Sequence, residues 1–202
     1  MTYIQKFFGH LLTIVKHKHW VFHYSIKCGI PWLGLMHDLS KFCPIEFFES
    51  VKYFTGHSSP INAAKADKGY SKAWFHHRGR NKHHYEYWVD WLDTGGTPVK
   101  MPYKYVLEMV CDYLAAARTY TKKEFSYKNE LTWWESREGC AKMHDDTKHI
   151  VKSIFFFLSI TNERFTDNMV FRMIRRGDFK DMYENPIYKE LDTLLNIELS
   201  NK

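Results

Sequence analysis

The chain has 202 residues, 45% of them hydrophobic and 26% charged, which is apolar content enough for one ordinary domain and excludes extended disorder. Lys and Arg outnumber Asp and Glu by 29 to 23, a net charge of +6, with 12 histidines besides; this suits a small anionic ligand, and only the Arg78-Arg80-Lys82 cluster leaves nucleic acid open. The cysteines Cys28, Cys43, Cys111 and Cys140 have no CxxC spacing and are expected as reduced thiols of a cytoplasmic protein.

The stretch up to Trp20 is interrupted by Lys6, His10 and Lys16 and is too short and polar to span a bilayer, so no membrane association is expected. It reads as an amphipathic first helix whose apolar positions, from Ile4 through Leu11, Leu12 and Val15 to Phe22, keep helical spacing until Gly29-Ile30-Pro31. Among its histidines, His19 and His23 share a face, and His17 lies off it. Next comes Leu35-Met36-His37-Asp38-Leu39-Ser40-Lys41-Phe42. An imidazole and a carboxylate in succession can hold a divalent transition metal, but adjacent helical positions diverge by about 100°, so the site has to be bent or terminal. Lys41 stands roughly one turn on, where its ammonium could meet an anion held at that metal.

Pro44 to Phe54 reads as a helix with Glu46 near its start, and residues 55–68 as a loop with room for a short helical turn. A helix from near Ser71 should break at Gly79, and Asn81 is a candidate N-cap for another from Lys82 to Leu92. The pairs His76-His77 and His83-His84 then face each other across a tight turn, where imidazoles from both can meet at a metal or a substrate. The competing reading is an aromatic packing corner built on Trp74, Tyr85, Trp88 and Trp91. Residues 93–98 read as a turn. Met101 to Tyr120 is the best-patterned helix, with Val106, Met109, Val110, Tyr113, Leu114 and Ala117 as its buried stripe. Glu108 and Asp112 lie one turn apart on it, and Asp112, among apolar neighbours, needs a partner such as a metal or an arginine.

Further on, residues 126–139 read as a loop with a short helix around Leu131 to Glu135. Asp145–Ser159, Asn162–Arg176 and Pro186–Leu199 read as helices. Neither persistent strand alternation nor a linker is evident, so a single all-α domain is expected, with residues 1–122 bearing the site and 123–202 covering it. The run Ile154 to Leu158 suits a core or a subunit interface, which leaves a homodimer open.

A histidine on a first helix, a His-Asp doublet, further histidines and an aspartate on a long later helix resemble the ligand order of the HD-domain superfamily of all-α, metal-dependent proteins, mostly phosphohydrolases. That resemblance implies His17, His37, Asp38 and Asp112 as metal ligands, with His19 and His23 still available as the first, and His77 and His84 as second-metal ligands or substrate contacts. His-Asp-x-x-Lys is also similar to the signature of the cyclic-dinucleotide phosphodiesterase branch, but no Gly-Tyr-Pro segment follows. The strings HDLSKF with a following Pro-x-Glu-Phe, HHRGRNKHHYEYW and Glu-Met-x-Cys-Asp more closely resemble a family of small bacterial and phage proteins without an assigned activity.

The reaction implied is metal-dependent hydrolysis of a nucleotide or another small phosphate ester, with one or two ions of Mn, Fe, Co, Zn or Mg. Lys41, Arg78, Arg80 and Lys82 would neutralise phosphate oxygens, His77 or His84 would ligate a second ion or protonate the leaving oxygen, and Glu108 would orient a ligand or water. Two other classes fit the same residues: a di-iron oxygenase of the same superfamily, and a non-catalytic protein that captures a nucleotide or a partner.

Overall fold

The structure is a computed structural model and describes residues 1–92, 95–121, 124–161 and 166–181. The fold is all-α. Helix α1 (Tyr3–Cys28) starts at a capping box, in which Thr2 accepts from the Gln5 amide and Gln5 from the Thr2 amide, and ends at Gly29 in the left-handed conformation (φ 78°). Its core face repeats as His10, Ile14, His17, Val21, Tyr24 and Cys28. A second apolar stripe, Ile4, Phe8, Leu12, Val15, Phe22 and Ile26, runs along its exposed side.

Short α2 (Pro31–Met36) crosses α1 where Gly34 has no room for a side chain against Ser25. It stops at His37, and Asp38 follows with φ 53° and ψ 27°, the one non-glycine residue at positive φ among the described residues. A 3-10 turn (Leu39–Phe42) leads into α3 (Pro44–Tyr53). Then come α4 (Pro60–Lys68), α5 (Lys72–Arg78), a 3-10 turn (Tyr85–Trp88), strands β1 (Val89–Leu92) and β2 (Gly95–Pro98), and α6 (Tyr103–Tyr120). Helices α7 (Tyr127–Glu138), α8 (Asp145–Ser159) and α9 (Asp167–Arg176) complete the described chain.

Five expectations about secondary structure need correction. Residues 55–68 hold a true helix, α4, because Pro60 fits its first turn and Gly69 closes it; the Gly56 to Ser59 signals belong to the preceding turn alone. Lys82–Leu92 is not a helix. Its second half is β1, paired antiparallel with β2 from Val89–Pro98 to Leu92–Gly95, so residues 95–98 are strand rather than turn. The β-prone Val89, Trp91 and Leu92 drive this, and Gly96 is required because a Cβ there would run into Val89 and Trp91. Residues 127–138 form the full helix α7, started by the Ser126 hydroxyl accepting from the Asn129 amide. Helix α9 begins at Asp167 rather than Asn162; residues 162–165 and the expected Pro186–Leu199 helix lie outside the described residues.

The main core surrounds α6, whose Val106, Met109, Val110, Cys111 and Leu114 are all buried, with Val21 and Tyr24 of α1, Trp134 of α7, Ile154, Phe155 and Leu158 of α8 and Phe171 of α9 around it. Tyr113 and Ala117, expected within the α6 stripe, are only partly buried. The apolar run of α8 lies in this core. A smaller core joins Ile14 to Phe47 and Val51 of α3. No helix among the described residues is long and apolar enough to cross a membrane.

Candidate metal centre

Five parts of the fold bring ionisable side chains to one buried point: α1 (His17), the end of α2 (His37, Asp38), the last turn of α5 (His77), the turn after it (His83, His84) and α6 (Glu108, Asp112). Helix α2 stops just before the doublet, and the left-handed backbone of Asp38 folds the two adjacent side chains together, which a continuous helix would forbid. His37 Nε2 lies 3.2 Å from Asp38 Oδ2 and 3.6 Å from Asp112 Oδ1, and His17 Nε2 is 2.9 Å from that same Asp112 oxygen. Asp38 turns its other oxygen, Oδ1, toward His77 Nε2 at 3.3 Å and His83 Nε2 at 3.4 Å.

Two groups of metal-ligating atoms result. His17, His37, Asp38 and Asp112 form one; Asp38, His77, His83 and His84 form the other; within each, one ligand atom per residue lies within 4.8 Å of the rest. Asp38 belongs to both. A smaller group, His37, His83 and Glu108, takes one histidine from each.

A surrounding layer fixes which ring nitrogen faces inward. Glu108 Oε1 accepts from His37 Nδ1 at 3.0 Å and stands 3.3 Å from His83 Nδ1. His77 Nδ1 donates to Glu46 Oε2 at 2.8 Å, while the other Glu46 oxygen pairs with His76. With Nδ1–H committed to a carboxylate, Nε2 is left as the lone-pair atom. Six buried atoms at this point have no well-directed hydrogen bond: Nε2 of His17, His37, His83 and His84, and both oxygens of Asp38. Buried polar atoms are rarely left so, and these are the imidazole and carboxylate donors that divalent transition metals take. The residues therefore fit a metal ion: these buried His, Asp and Glu groups could hold one.

Electrostatics favour that state at His17 and His84 and oppose it at His37, where a metal ion would have to displace the proton on Nε2. Burial, reinforced by Lys41, lowers the His17 imidazole, and burial with the neighbouring His83 and His77 holds His84 well below its usual range, so both are neutral. Burial opposes charge on Asp38 and Asp112 too, but His37, Lys41 and His77 around the first, and His17 and His37 around the second, hold both well below the usual carboxylate range. His37 is raised well above its usual value: burial is outweighed by Asp38, Asp112 and Glu108. Lys41 lies 2.6 Å from Asp38 Oδ2; burial would lower it, but Asp38 and Asp112 keep it above its ordinary range.

A cavity of about 200 Å³ opens onto the cluster, with His17, Lys41, His77, His84, Asp112 and Tyr120 in its lining. Of the first-helix histidines, His17 reaches the cluster, while His19 and His23 are exposed and flank Trp20. The expected substrate cations are elsewhere: Arg78 packs on Phe75, Arg80 bonds the His76 carbonyl and Lys82 lies near the Tyr87 and Tyr105 rings, none of them lining the cavity. Its lysine is Lys41.

Three residues escaped the sequence reading. His83, given no role of its own beside His84, belongs to the second group because the turn after α5 lets both rings face inward. Glu46 looked like an ordinary helix-start acid, its histidine partners being thirty positions away. His10 lines the cavity wall, and its spacing of seven from His17 was the available signal. No match was found among curated proteins or solved structures. Residues 6–156 match DUF5662, described as a family of unknown function, and the chain belongs to that family.

Proposed function

We propose that this chain is a metal-dependent phosphohydrolase acting on a nucleotide or another small phosphate ester, with an HD-domain-like centre of one or two Mn, Fe, Co or Zn ions. The observation that carries the reading is Asp38, shared between two ligand groups and paired on one oxygen with a lysine that lines a cavity. The order His17, His37-Asp38, His77, His83-His84, Asp112 resembles that of the superfamily. Bound there, the metal would supply Lewis-acid polarisation and charge neutralisation to a phosphoryl group.

The remaining roles belong to the chain's own side chains. Lys41 offers a fixed ammonium to an anionic ligand in the cavity. Glu108 and Glu46 orient His37, His83 and His77 through their Nδ1 atoms. His10, which burial and then Lys41 push down to about 4, stays neutral in the cavity wall and adds no competing charge. Two ligand groups joined by one carboxylate also suit a pair of irons, so a di-iron oxygenase is the second reading.

Metal content of tag-free protein by mass spectrometry, followed by a phosphatase and phosphodiesterase screen of metal-loaded protein, separates these. Hydrolysis lost in Lys41→Ala with metal retained supports the first reading. Two equivalents of iron without hydrolysis support the second. No uptake of any of these ions overturns both.

A further inference from the structure

A second recess of about 340 Å³ adjoins the first cavity and shares Ser59, Ile61, Trp74 and His84 with it. Trp74, Tyr85, Tyr113, Trp133 and Trp134 supply its aromatic surface. Two buried polar atoms there lack a hydrogen bond and belong to no metal group: Glu86 Oε2, an acceptor, and Trp134 Nε1–H, a donor. We propose that this recess binds the heteroaromatic base of a nucleoside phosphate whose phosphoryl end lies at the cluster, Glu86 accepting from a base N–H and Trp134 donating to a ring or carbonyl acceptor.

Flat aromatic walls suit a planar π-system, and an unpaired donor with an unpaired acceptor matches a base edge, which carries both. An organic ammonium fits less well. Lys65 and Arg137 also line the recess, lying over Trp74 and Trp133, and these two cations outnumber the single carboxylate. The placement of the phosphoryl end rests on the phosphohydrolase reading; the base contacts do not.

The test is tryptophan-fluorescence titration of the metal-loaded protein with guanosine monophosphate, ribose 5-phosphate, guanosine and inorganic phosphate. The nucleotide is expected to bind at least about tenfold more tightly than ribose 5-phosphate, since a site built to pair a polar edge rejects a ligand lacking it. In Glu86→Leu, checked for an unchanged circular dichroism spectrum and metal content, that ratio falls toward one. Trp133→Ala is expected to weaken guanosine about tenfold or more through lost stacking. Ribose 5-phosphate binding as tightly as the nucleotide, or Glu86→Leu keeping the full ratio, overturns the recess. Guanosine binding without any phosphate binding keeps the recess and refutes the phosphohydrolase reading instead.

The exposed stripe of α1 carries a separate inference. From Phe8 it steps four, three, four, three and four through Leu12, Val15, His19, Phe22 and Ile26, a heptad seam, and Ile4 extends it one turn earlier. Leu12 is 67% exposed and Ile4 68%, on the side away from the core face. The seam's apolar residues are 37–68% exposed and together leave on the order of 600 Å² open, the upper end of what a monomer ordinarily leaves in one patch and approaching the roughly 800 Å² per partner of a standard interface. We infer that two copies of the chain pair through α1, since a heptad seam is complementary to another helix with the same repeat, with Trp32 (69% exposed) on adjoining α2 available at the edge.

Sedimentation equilibrium of the full chain is expected to give twice 24.3 kDa, and Leu12→Arg to give one copy with unchanged circular dichroism and metal content. A wild-type monomer, a Leu12→Arg dimer, or a monomer that instead binds anionic phospholipid vesicles overturns the pairing.

Discussion

Replacing Asp38 separates three effects that meet at one residue. Its carboxylate is 3% exposed and touches His37, His77, His83 and Lys41 within 3.4 Å. Removing one partner from a buried charged set costs about 3–5 kcal/mol, a large share of the roughly 5–15 kcal/mol that holds a domain folded. The backbone at Asp38 is left-handed, which asparagine tolerates, glycine adopts freely and alanine resists by about 1–2 kcal/mol. In urea denaturation of metal-free protein, Asp38→Asn and Asp38→Gly are therefore expected to lose the charge contribution, and Asp38→Ala about 1 kcal/mol more than Asp38→Gly. All three should lose metal from both groups, read as ions per chain. Full occupancy in Asp38→Asn would refute the shared-ligand assignment, and equal stability of the alanine and glycine variants would refute the backbone argument.

Other changes act at a distance. Glu108→Gln removes the charge from the oxygen, Oε1, on which two imidazole N–H groups converge, so metal is expected to bind about 10–100-fold more weakly by calorimetry; unchanged affinity would show that Glu108 does not orient the rings. Glu130 is buried on α7, and burial alone raises its carboxyl to about 7. Its contribution is fully present below the unfolded value near 4.5 and is lost as pH rises through 7, so Glu130→Gln should match wild type at pH 4 and exceed it at pH 8 by up to about 3 kcal/mol. Parallel pH–stability curves would sink that. Gly34→Ala forces a methyl into Ser25, where α2 crosses α1, and is expected to cost about 1–3 kcal/mol in thermal or urea unfolding and to weaken metal binding by shifting His37; an unaffected melting temperature would show that the crossing has slack.

Much of this was legible in the residues. The His37-Asp38 doublet, Lys41, Asp112 among apolar neighbours and the bounds of α8 all followed from local pattern, because each depends on chemistry or periodicity within a few positions. What local pattern could not supply was pairing. Glu46 gains its meaning from His76 and His77, and Glu108 from His37 and His83. The β1–β2 hairpin was hidden because four-residue strands are too short to display alternation, and its glycines read equally well as a turn. Arg78, Arg80 and Lys82 looked like one basic cluster in sequence, but the turn after α5 leaves them near separate aromatic rings or carbonyls.

The candidate ligand atoms span positions 17 to 112 and come from helices α1, α5 and α6 and from the turns after α2 and α5, which meet only in the finished core. No short fragment can reproduce the centre, so its assembly depends on late, long-range chain closure rather than on any local nucleus. An ion that binds only the closed chain adds its binding energy to folding, so metal supply during synthesis would set how much of this protein reaches its final form.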